Sequence, residues 1–260
     1  MSLSLEGKHA LIAGGSGEMG YHAARALAAA GCNITLMARG SEGLTTAATR
    51  LINEVDGDVL TVTADLNNRL SIERAVDHAE ESLGPIDILV HAVREDVNGY
   101  YDQLDVARLQ MAAQTLLIGA ANLVAAVVPP MQEAGDGRVM FVIGQDAIRG
   151  RPLGLGTCAL QHGLLGLMRG LAREVAESGV AVNAVVAGLV DTDRLSVEID
   201  QIVAHTRRDR SAVKSDLANG NAQRRLIQPS EIGATLVWLA QDEAKGLCGQ
   251  AMVIDGGELG

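Results

Sequence analysis

Aromatic side chains are scarce in this sequence: Phe, Tyr and Trp together make up 2% of the 260 residues. Few rings are therefore available to stack on nucleic-acid bases. The formal net charge of −11 also leaves no excess of cations to neutralise a phosphate backbone. These two features argue against a nucleic-acid-binding protein.

Cysteines and long apolar runs are also few. Cys32, Cys158 and Cys248 lie far apart, without the Cys/His spacing of a zinc site or the density of a disulfide framework. The longest apolar stretches, 116–128 and 180–190, are too short or too interrupted to cross a membrane, and the first residues contain no signal-peptide core. We predict a cytoplasmic protein with no metal site and no membrane span.

What the sequence does contain is a regular alternation of strand and helix patterns. No linker interrupts it, and 48% of the residues are hydrophobic, enough for one sizeable core. Such alternation is typical of a parallel sheet covered on both faces. We predict a single α/β domain over residues 1–260, with a doubly wound Rossmann-type parallel sheet flanked by helices. Strands are expected at 10–13, 33–37, 59–63, 86–90, 138–143, 180–186 and 251–254, and the long helix of 104–128 is expected to end at Pro129 and Pro130.

A glycine-rich turn joins the first strand to the first helix, in the segment LIAGGSGEMG. Gly14, Gly17 and Gly20 allow the backbone to turn tightly and open the helix, so its free N–H groups and positive dipole end face outward. This arrangement suits a diphosphate. Ser16 and Met19, within the same turn, are added to the candidate nucleotide-binding residues.

Several landmarks resemble the short-chain dehydrogenase/reductase family over the whole chain. AGGSGEMG is similar to the family's T-G-x-x-x-G-x-G, with Glu18 where its middle glycine would stand. The segments TADL, NAVVAGLVDT and PSEIGATLVWLAQDEAKGLCGQAMVIDGG resemble further family motifs. The resemblance implies the Rossmann-type fold, a nicotinamide cofactor, and cofactor contacts from Asp65, Gly188 and Thr192.

The end of the second strand indicates which nicotinamide cofactor is expected. Ala38 and Arg39 stand there in place of the acid that would hold two ribose hydroxyls. A guanidinium can instead hold a 2′-phosphate, which favours NADP(H) over NAD(H). Glu18 opposes any nucleotide, since a carboxylate repels a diphosphate unless its side chain turns outward. Binding of no nucleotide is therefore an open alternative.

The family's catalytic groups are not found at the expected places. Its members deliver a proton from a tyrosine assisted by a lysine, spaced Y-x-x-x-K on one helix face. We align Cys158 with the tyrosine and His162 with the lysine; the family's serine falls on Gly144 or Gln145, and its helix asparagine on Leu116. Where relatives carry N-N-A-G, this chain carries His91-Ala92-Val93-Arg94, whose larger side chains would narrow the cleft.

Two functional interpretations follow. In the first, the chain is a non-catalytic subunit paired with an active relative, because family members assemble through the helices before and after strand five, which here are rich in Ala, Gly and Leu. In the second, the chain is an NADP(H)-dependent carbonyl reductase, an alcohol dehydrogenase or a non-redox lyase. Cys158 and His162 would then act as a substitute acid/base pair, with Gln145, His91 and Asp146 as further polar candidates. The first allows a homo-oligomer or a hetero-oligomer.

The segment 194–229, which we call the lid segment, is where relatives place a substrate lid. It is locally basic in an acidic chain and carries the cations Arg207, Arg208, Arg210, Lys214, Arg224 and Arg225. Such a patch would suit an anionic, acyl-CoA-like ligand. Its Asn, Gly and Ser content favours a mobile, solvated loop or docking surface instead.

Overall fold

Seven strands alternate with helices along the chain, as the sequence pattern predicted. The structure is a computed structural model that describes residues 5–259. All strand pairs are parallel, in the order β3-β2-β1-β4-β5-β6-β7. The strands are β1 (His9–Ala13), β2 (Asn33–Ala38), β3 (Val59–Thr63), β4 (Ile88–His91), β5 (Gly137–Gly144), β6 (Val180–Ala187) and β7 (Ala251–Ile254).

Helices cover both faces of this sheet and bury the apolar runs of its strands. They are α1 (Glu18–Ala29), α2 (Ser41–Ile52), α3 (Arg69–Leu83), α4 (Val106–Ala113), α5 (Gly119–Ala134), α6 (Leu155–Val175), α7 (Asp193–Thr206), α8 (Arg210–Ala218) and α9 (Pro229–Ala240). One core layer joins α3, α5 and α6 to the sheet, around Phe141. The other joins α1, α2 and α9, around Leu36. The prediction of a doubly wound sheet is confirmed.

The long helix before β5 does not end where the prolines predicted. A π-helical turn at Gln114–Ile118 links α4 to α5, and α5 continues through Pro129 and Pro130 to Ala134. A proline inside a helix leaves the carbonyl four residues earlier without its N–H partner. Both prolines and Ala125 are exposed, so water can reach this part of the helix. The predicted end at residue 128 is therefore wrong, and Gly135, at φ 73°, ends the helix instead.

The combined helix Val106–Ala134 is the one segment of the described chain that is long and apolar enough to cross a membrane. Its residues Leu116, Ala120, Leu123 and Val127 are buried in the core layer with α3 and α6. This packing is that of a core helix.

The lid segment forms helices and not the irregular loop that its composition suggested. Helices α7 and α8 pack through a small cluster of Leu195, Ile199, Val213 and Leu226. Most of its cations are neutralised: Arg208 pairs with Asp216, Arg210 with Asp200, Lys214 with Asp191 and Arg225 with Glu231. The segment therefore does not present the open basic patch that its sequence predicted.

Candidate functional site

A large cleft opens at the carboxyl ends of β1, β4, β5 and β6 and encloses about 1080 Å³. The strand order reverses at this place, because β1 pairs with β2 on one side and β4 on the other. Ligands of open α/β sheets bind at such a switch point. The lid segment closes the cleft from above through residues of α7 and α8, including Arg194, Leu195 and Leu217.

The glycine turn forms one wall of the cleft. Gly14, Ser16, Gly17 and Met19 line it, as predicted. Gly14 has φ 83°, and a Cβ there would lie 2.8 Å from the carbonyl carbon of Ala92. No side chain caps the start of α1, so its first N–H groups are available to an anion.

Gly20 has a different role from its neighbours, since it does not line the cleft. A Cβ at Gly20 would lie 2.2 Å from the carbonyl oxygen of Gly14. The first turn of α1 thus packs directly on the backbone of the preceding turn. Gly20 is needed for the shape of the turn, and not for contact with a ligand as predicted.

Glu18 does not place a free carboxylate against the diphosphate position. Its Oε1 accepts a hydrogen bond from the backbone N–H of Asp193 at 2.8 Å, and its Oε2 accepts one from Arg194 at 3.4 Å. The side chain therefore supplies acceptors to the first turn of α7, where free N–H groups favour a negative charge. These hydrogen bonds reduce the repulsion that the sequence predicted between the Glu18 carboxylate and a bound diphosphate.

An ion-pair bridge spans the mouth of the cleft between the β4 loop and α7. Arg94 Nε donates to both carboxylate oxygens of Asp96, at 3.2 and 3.1 Å, and Arg194 donates to the same carboxylate. Burial alone would raise the pKa of Asp96, but the two guanidinium groups lower it. Gly188 and Thr192 also line this wall, and Thr192 caps α7 through its hydroxyl.

The two residues expected at the adenosine end differ in their placement. Arg39 lines the cleft, with its Nη2 atom 3.8 Å from Glu95 Oε1 and 65% of its side chain exposed. Asp65 does not line the cleft, and its Oδ1 instead accepts a hydrogen bond from the N–H of Asn67 at 3.0 Å. Ala64 and Leu66 line the cleft on either side of it. One oxygen of the Asp65 carboxylate thus stabilises a local turn, and the cofactor contact from Asp65 stays a prediction.

The sequence alignment of the catalytic helix is shifted by one residue. Cys158 and His162 do not line the cleft; His162 Nδ1 lies 2.9 Å from the carbonyl oxygen of Cys158, and Cys158 Sγ lies 3.6 Å from that of Arg149. Thr157 and Gln161, with the same spacing, face inward and are only 1% and 4% exposed. The expectation of a Cys158/His162 pair in the site is wrong, because those residues lie on a neighbouring face of α6.

Hydrogen bonds hold both inward residues. Gln161 lines the cleft and accepts a hydrogen bond from the N–H of Gly144 at 3.1 Å. The Thr157 hydroxyl accepts a hydrogen bond from the N–H of Val97 at 2.9 Å and lies 3.0 Å from Asn98 Oδ1. Neither side chain can supply a proton near neutral pH as an assisted phenol would.

No tyrosine or lysine is present in the described lining of the cleft. Tyr21 packs under the Arg50 guanidinium, 4.2 Å from its ring centroid. Tyr100 and Tyr101 are 62% and 81% exposed and lie outside the cleft. Leu116, where the resemblance places an asparagine, is fully buried in the core.

The end of β5 carries polar groups that the sequence did identify. Gln145 and Asp146 line the cleft, and Asp146 is 8% exposed. Arg151 Nε donates to both oxygens of Asp146, at 3.0 and 2.9 Å. Sequence reasoning missed Arg151 and Asn98, which also line the cleft, because no motif spacing links them to α6.

His91 lies at the end of β4 but not in the cleft. It is 1% exposed, its ring packs 5.5 Å from that of Phe141, and neither ring nitrogen has a hydrogen-bond partner in the described structure. Burial lowers the pKa of His91 from 6.5 to about 4. His91 is therefore a buried, neutral imidazole and not a proton donor of the site.

We expect this imidazole to make stability depend on pH. In the unfolded chain His91 becomes protonated below pH 6.5, whereas in the folded chain it stays neutral down to about pH 4. The free energy of unfolding therefore decreases as the pH falls between these two values. The loss approaches about 3 kcal/mol at the acidic end. Urea unfolding at a series of pH values measures it.

His91→Leu should remove this part of the slope, while His162→Leu, at an exposed position, should leave it unchanged. His9 and His22, whose pKa values burial also lowers, retain their own contributions in both variants. An unaltered slope in His91→Leu would contradict the assignment.

The comparisons with known proteins agree with the architecture. The model of a family described as "Enoyl-(Acyl carrier protein) reductase" matches residues 14–258. The chain is 32% identical to Oxidoreductase UcpA of Salmonella typhimurium, over 97% of this chain and 95% of the relative. It is 28% identical to an acetoacetyl-CoA reductase of Allochromatium vinosum, over 95% and 97%.

A solved structure has the same fold over the whole chain. The L-sorbose reductase of Gluconobacter frateurii, complexed with NADPH and L-sorbose, is similar at a TM-score of 0.94 and 25% identity, covering 100% of this chain and 99% of that one. The strands and helices that form the cleft therefore each have an equivalent in that protein.

Proposed function

Because the chain belongs to the short-chain dehydrogenase/reductase family, we propose that its cleft binds a nicotinamide dinucleotide, with NADP(H) preferred over NAD(H). The turn of Gly14, Ser16 and Gly17 supports this proposal, since an uncapped helix start lies beside it. The solved relative with NADPH supports it too. When bound, the cofactor would supply or take up a hydride.

Arg39 supports the preference for the phosphorylated cofactor. Its guanidinium lies at the end of β2 and lines the cleft. Its ion pair with Glu95 is long, with 3.8 Å between Nη2 and Oε1. A 2′-phosphate offers it stronger, charge-assisted hydrogen bonds.

Arg39→Ala should weaken NADPH binding by roughly tenfold or more and change NADH binding little, since only NADPH carries the phosphate. The matched control is Arg69→Ala, because Arg69 is similarly exposed and lies outside the cleft. Fluorescence titration with both cofactors measures the effect. Equal losses for the two cofactors would refute the assignment of Arg39.

We further propose that the chain is the non-catalytic subunit of a dehydrogenase complex with an active relative. The observation that carries this proposal is the inward face of α6, where Gln161 lines the cleft and the buried Thr157 lies one turn before it, in place of an assisted phenol. The chain's own residues can bind and orient a ligand there. They offer no neutral acid to protonate a carbonyl oxygen.

The exposed surface of α4, the π-helical turn and α6 could contact such a partner. Gly166 and Gly170 of α6 have open space where a Cβ would stand, and Met111 and Ile118 are 65% and 48% exposed. Small residues allow helices of two subunits to approach closely. The proposed partner is an active relative, and a second copy of this chain is the alternative occupant of this surface.

Asp146 favours a second candidate function, an active oxidoreductase or a non-redox lyase. Its carboxylate lines the cleft, and the relatives bear the names of reductases and an oxidoreductase. In this case Asp146 would accept a proton from a substrate hydroxyl or carbon. Assays of the chain alone and with its genomic neighbour's product separate the two candidates: activity of the chain alone that Asp146→Asn abolishes supports the second.

A further inference from the structure

A group of N–H donors lies where a proton donor would be expected. Asn98, Arg151 and Gln161 all line the cleft. Arg151 Nη2 donates to Asn98 Oδ1 at 2.8 Å, and the Thr157 hydroxyl lies 3.0 Å from the same oxygen. Gln161 follows Thr157 by one helical turn on the same face of α6, and it lines the same cleft as Asn98 and Arg151.

The acceptor atoms of this group are already used. Asn98 Oδ1 faces Arg151 and Thr157, and Gln161 Oε1 accepts from the N–H of Gly144. The amide nitrogens of Asn98 and Gln161 and the Nη1 atom of Arg151 make no hydrogen bond within residues 5–259. What these three side chains can still offer a ligand is therefore a set of donors.

The Asp146 carboxylate does not cancel this donor character. Arg151 Nε donates to both of its oxygens, and Asp146 is 8% exposed. Nε of Arg151 donates to Asp146 and Nη2 donates to Asn98, so the guanidinium is held in place and its Nη1 atom remains for a ligand. A guanidinium and two amides bind an oxygen that carries negative charge, yet none of them can protonate it.

We infer that Asn98, Arg151 and Gln161 form a binding site for the carboxylate of a small organic acid. This inference rests on the proposed function, because the site adjoins the proposed nucleotide position in the same cleft. A carboxylate satisfies several donors at once without needing a proton. Leu189, Leu195 and Leu217, which line the same cleft, would contact the apolar part of the acid.

Ligand-observed NMR titration of the full chain tests the inference with butyrate and its neutral analogue butyramide, with and without NADPH. We expect butyrate to bind at least tenfold more tightly than butyramide. The double variant Asp146→Asn/Arg151→Met removes the ion pair as a neutral unit and should weaken butyrate binding at least tenfold.

Arg69→Met/Glu73→Gln is the matched control. It also removes an ion pair as a neutral unit, since Arg69 Nε lies 2.8 Å from Glu73 Oε1, and neither residue lines the cleft. This variant should bind butyrate within twofold of the parent chain. If the double variant does not fold, Gln161→Leu provides a second test, because it removes one donor from a single position. We expect its affinity for butyrate to fall severalfold.

Three results would overturn the inference: equal binding of butyrate and butyramide, an equal loss in Arg69→Met/Glu73→Gln, or no binding of butyrate by a chain that binds NADPH. The last of these leaves the proposed nucleotide site intact. Failure of NADPH itself to bind would instead count against the proposed function, and butyrate binding measured without nucleotide would still decide the inference.

Discussion

Thr157→Tyr and Gln161→Lys, combined with Gly144→Ser, should give the chain measurable NADPH-dependent reduction of acetoacetyl-CoA. The two helix substitutions restore the Y-x-x-x-K pair on the buried face of α6, from which Gln161 lines the cleft. A Cβ at Gly144 meets no atom within 4 Å, so the serine has room. A positioned proton donor contributes about 10²- to 10⁴-fold in rate. Loss of absorbance at 340 nm measures the gain.

The matched control places the same residues one position later, as Gly144→Ser/Cys158→Tyr/His162→Lys. Cys158 and His162 lie outside the cleft, so this variant should stay as inactive as the parent chain. Circular dichroism and thermal unfolding check that both variants fold. Activity in the shifted variant, and none in the first when both are folded, would show that the face of α6 is assigned wrongly.

Gly20→Ala should destabilise the chain and weaken nucleotide binding. The added Cβ would lie 2.2 Å from the carbonyl oxygen of Gly14, so the turn or the start of α1 must shift. Such overpacking costs about 1–3 kcal/mol or more. We expect a clear fall in the free energy of unfolding and at least a tenfold loss of NADPH affinity.

Gly246→Ala serves as the control for this substitution. Gly246 is exposed in the turn before β7, and a Cβ there meets no atom within 4 Å. Alanine should therefore stabilise the chain by about 0.4–1 kcal/mol, because it reduces the freedom of the unfolded chain. A Gly20→Ala chain with the stability and NADPH affinity of the parent would contradict the packing described for the turn.

The fold could be predicted because each strand and helix carries a local pattern. The buried runs of β5 and β6, the glycine turn and the alternation of elements are visible without tertiary contacts, and the family assignment confirms what they indicate. The end of α5 could not be predicted in this way. Pro129 and Pro130 read as a helix stop, but their exposure allows the helix to continue.

The site was harder to predict, since small and apolar residues surround its helix on several faces. The spacing of four residues fits Thr157 and Gln161 as well as Cys158 and His162, and only packing decides which pair faces the cleft. The carboxylate of Glu18 likewise finds partners in α7, far away in sequence. Contacts of this kind leave no local pattern.

Binding without reduction is the central claim, and one experiment tests it directly. The purified chain is titrated into NADPH, and acetoacetyl-CoA is then added in excess while absorbance at 340 nm is followed through a single turnover. We predict saturable binding of NADPH and unchanged absorbance. Oxidation of the bound NADPH by the unmodified chain would contradict the account.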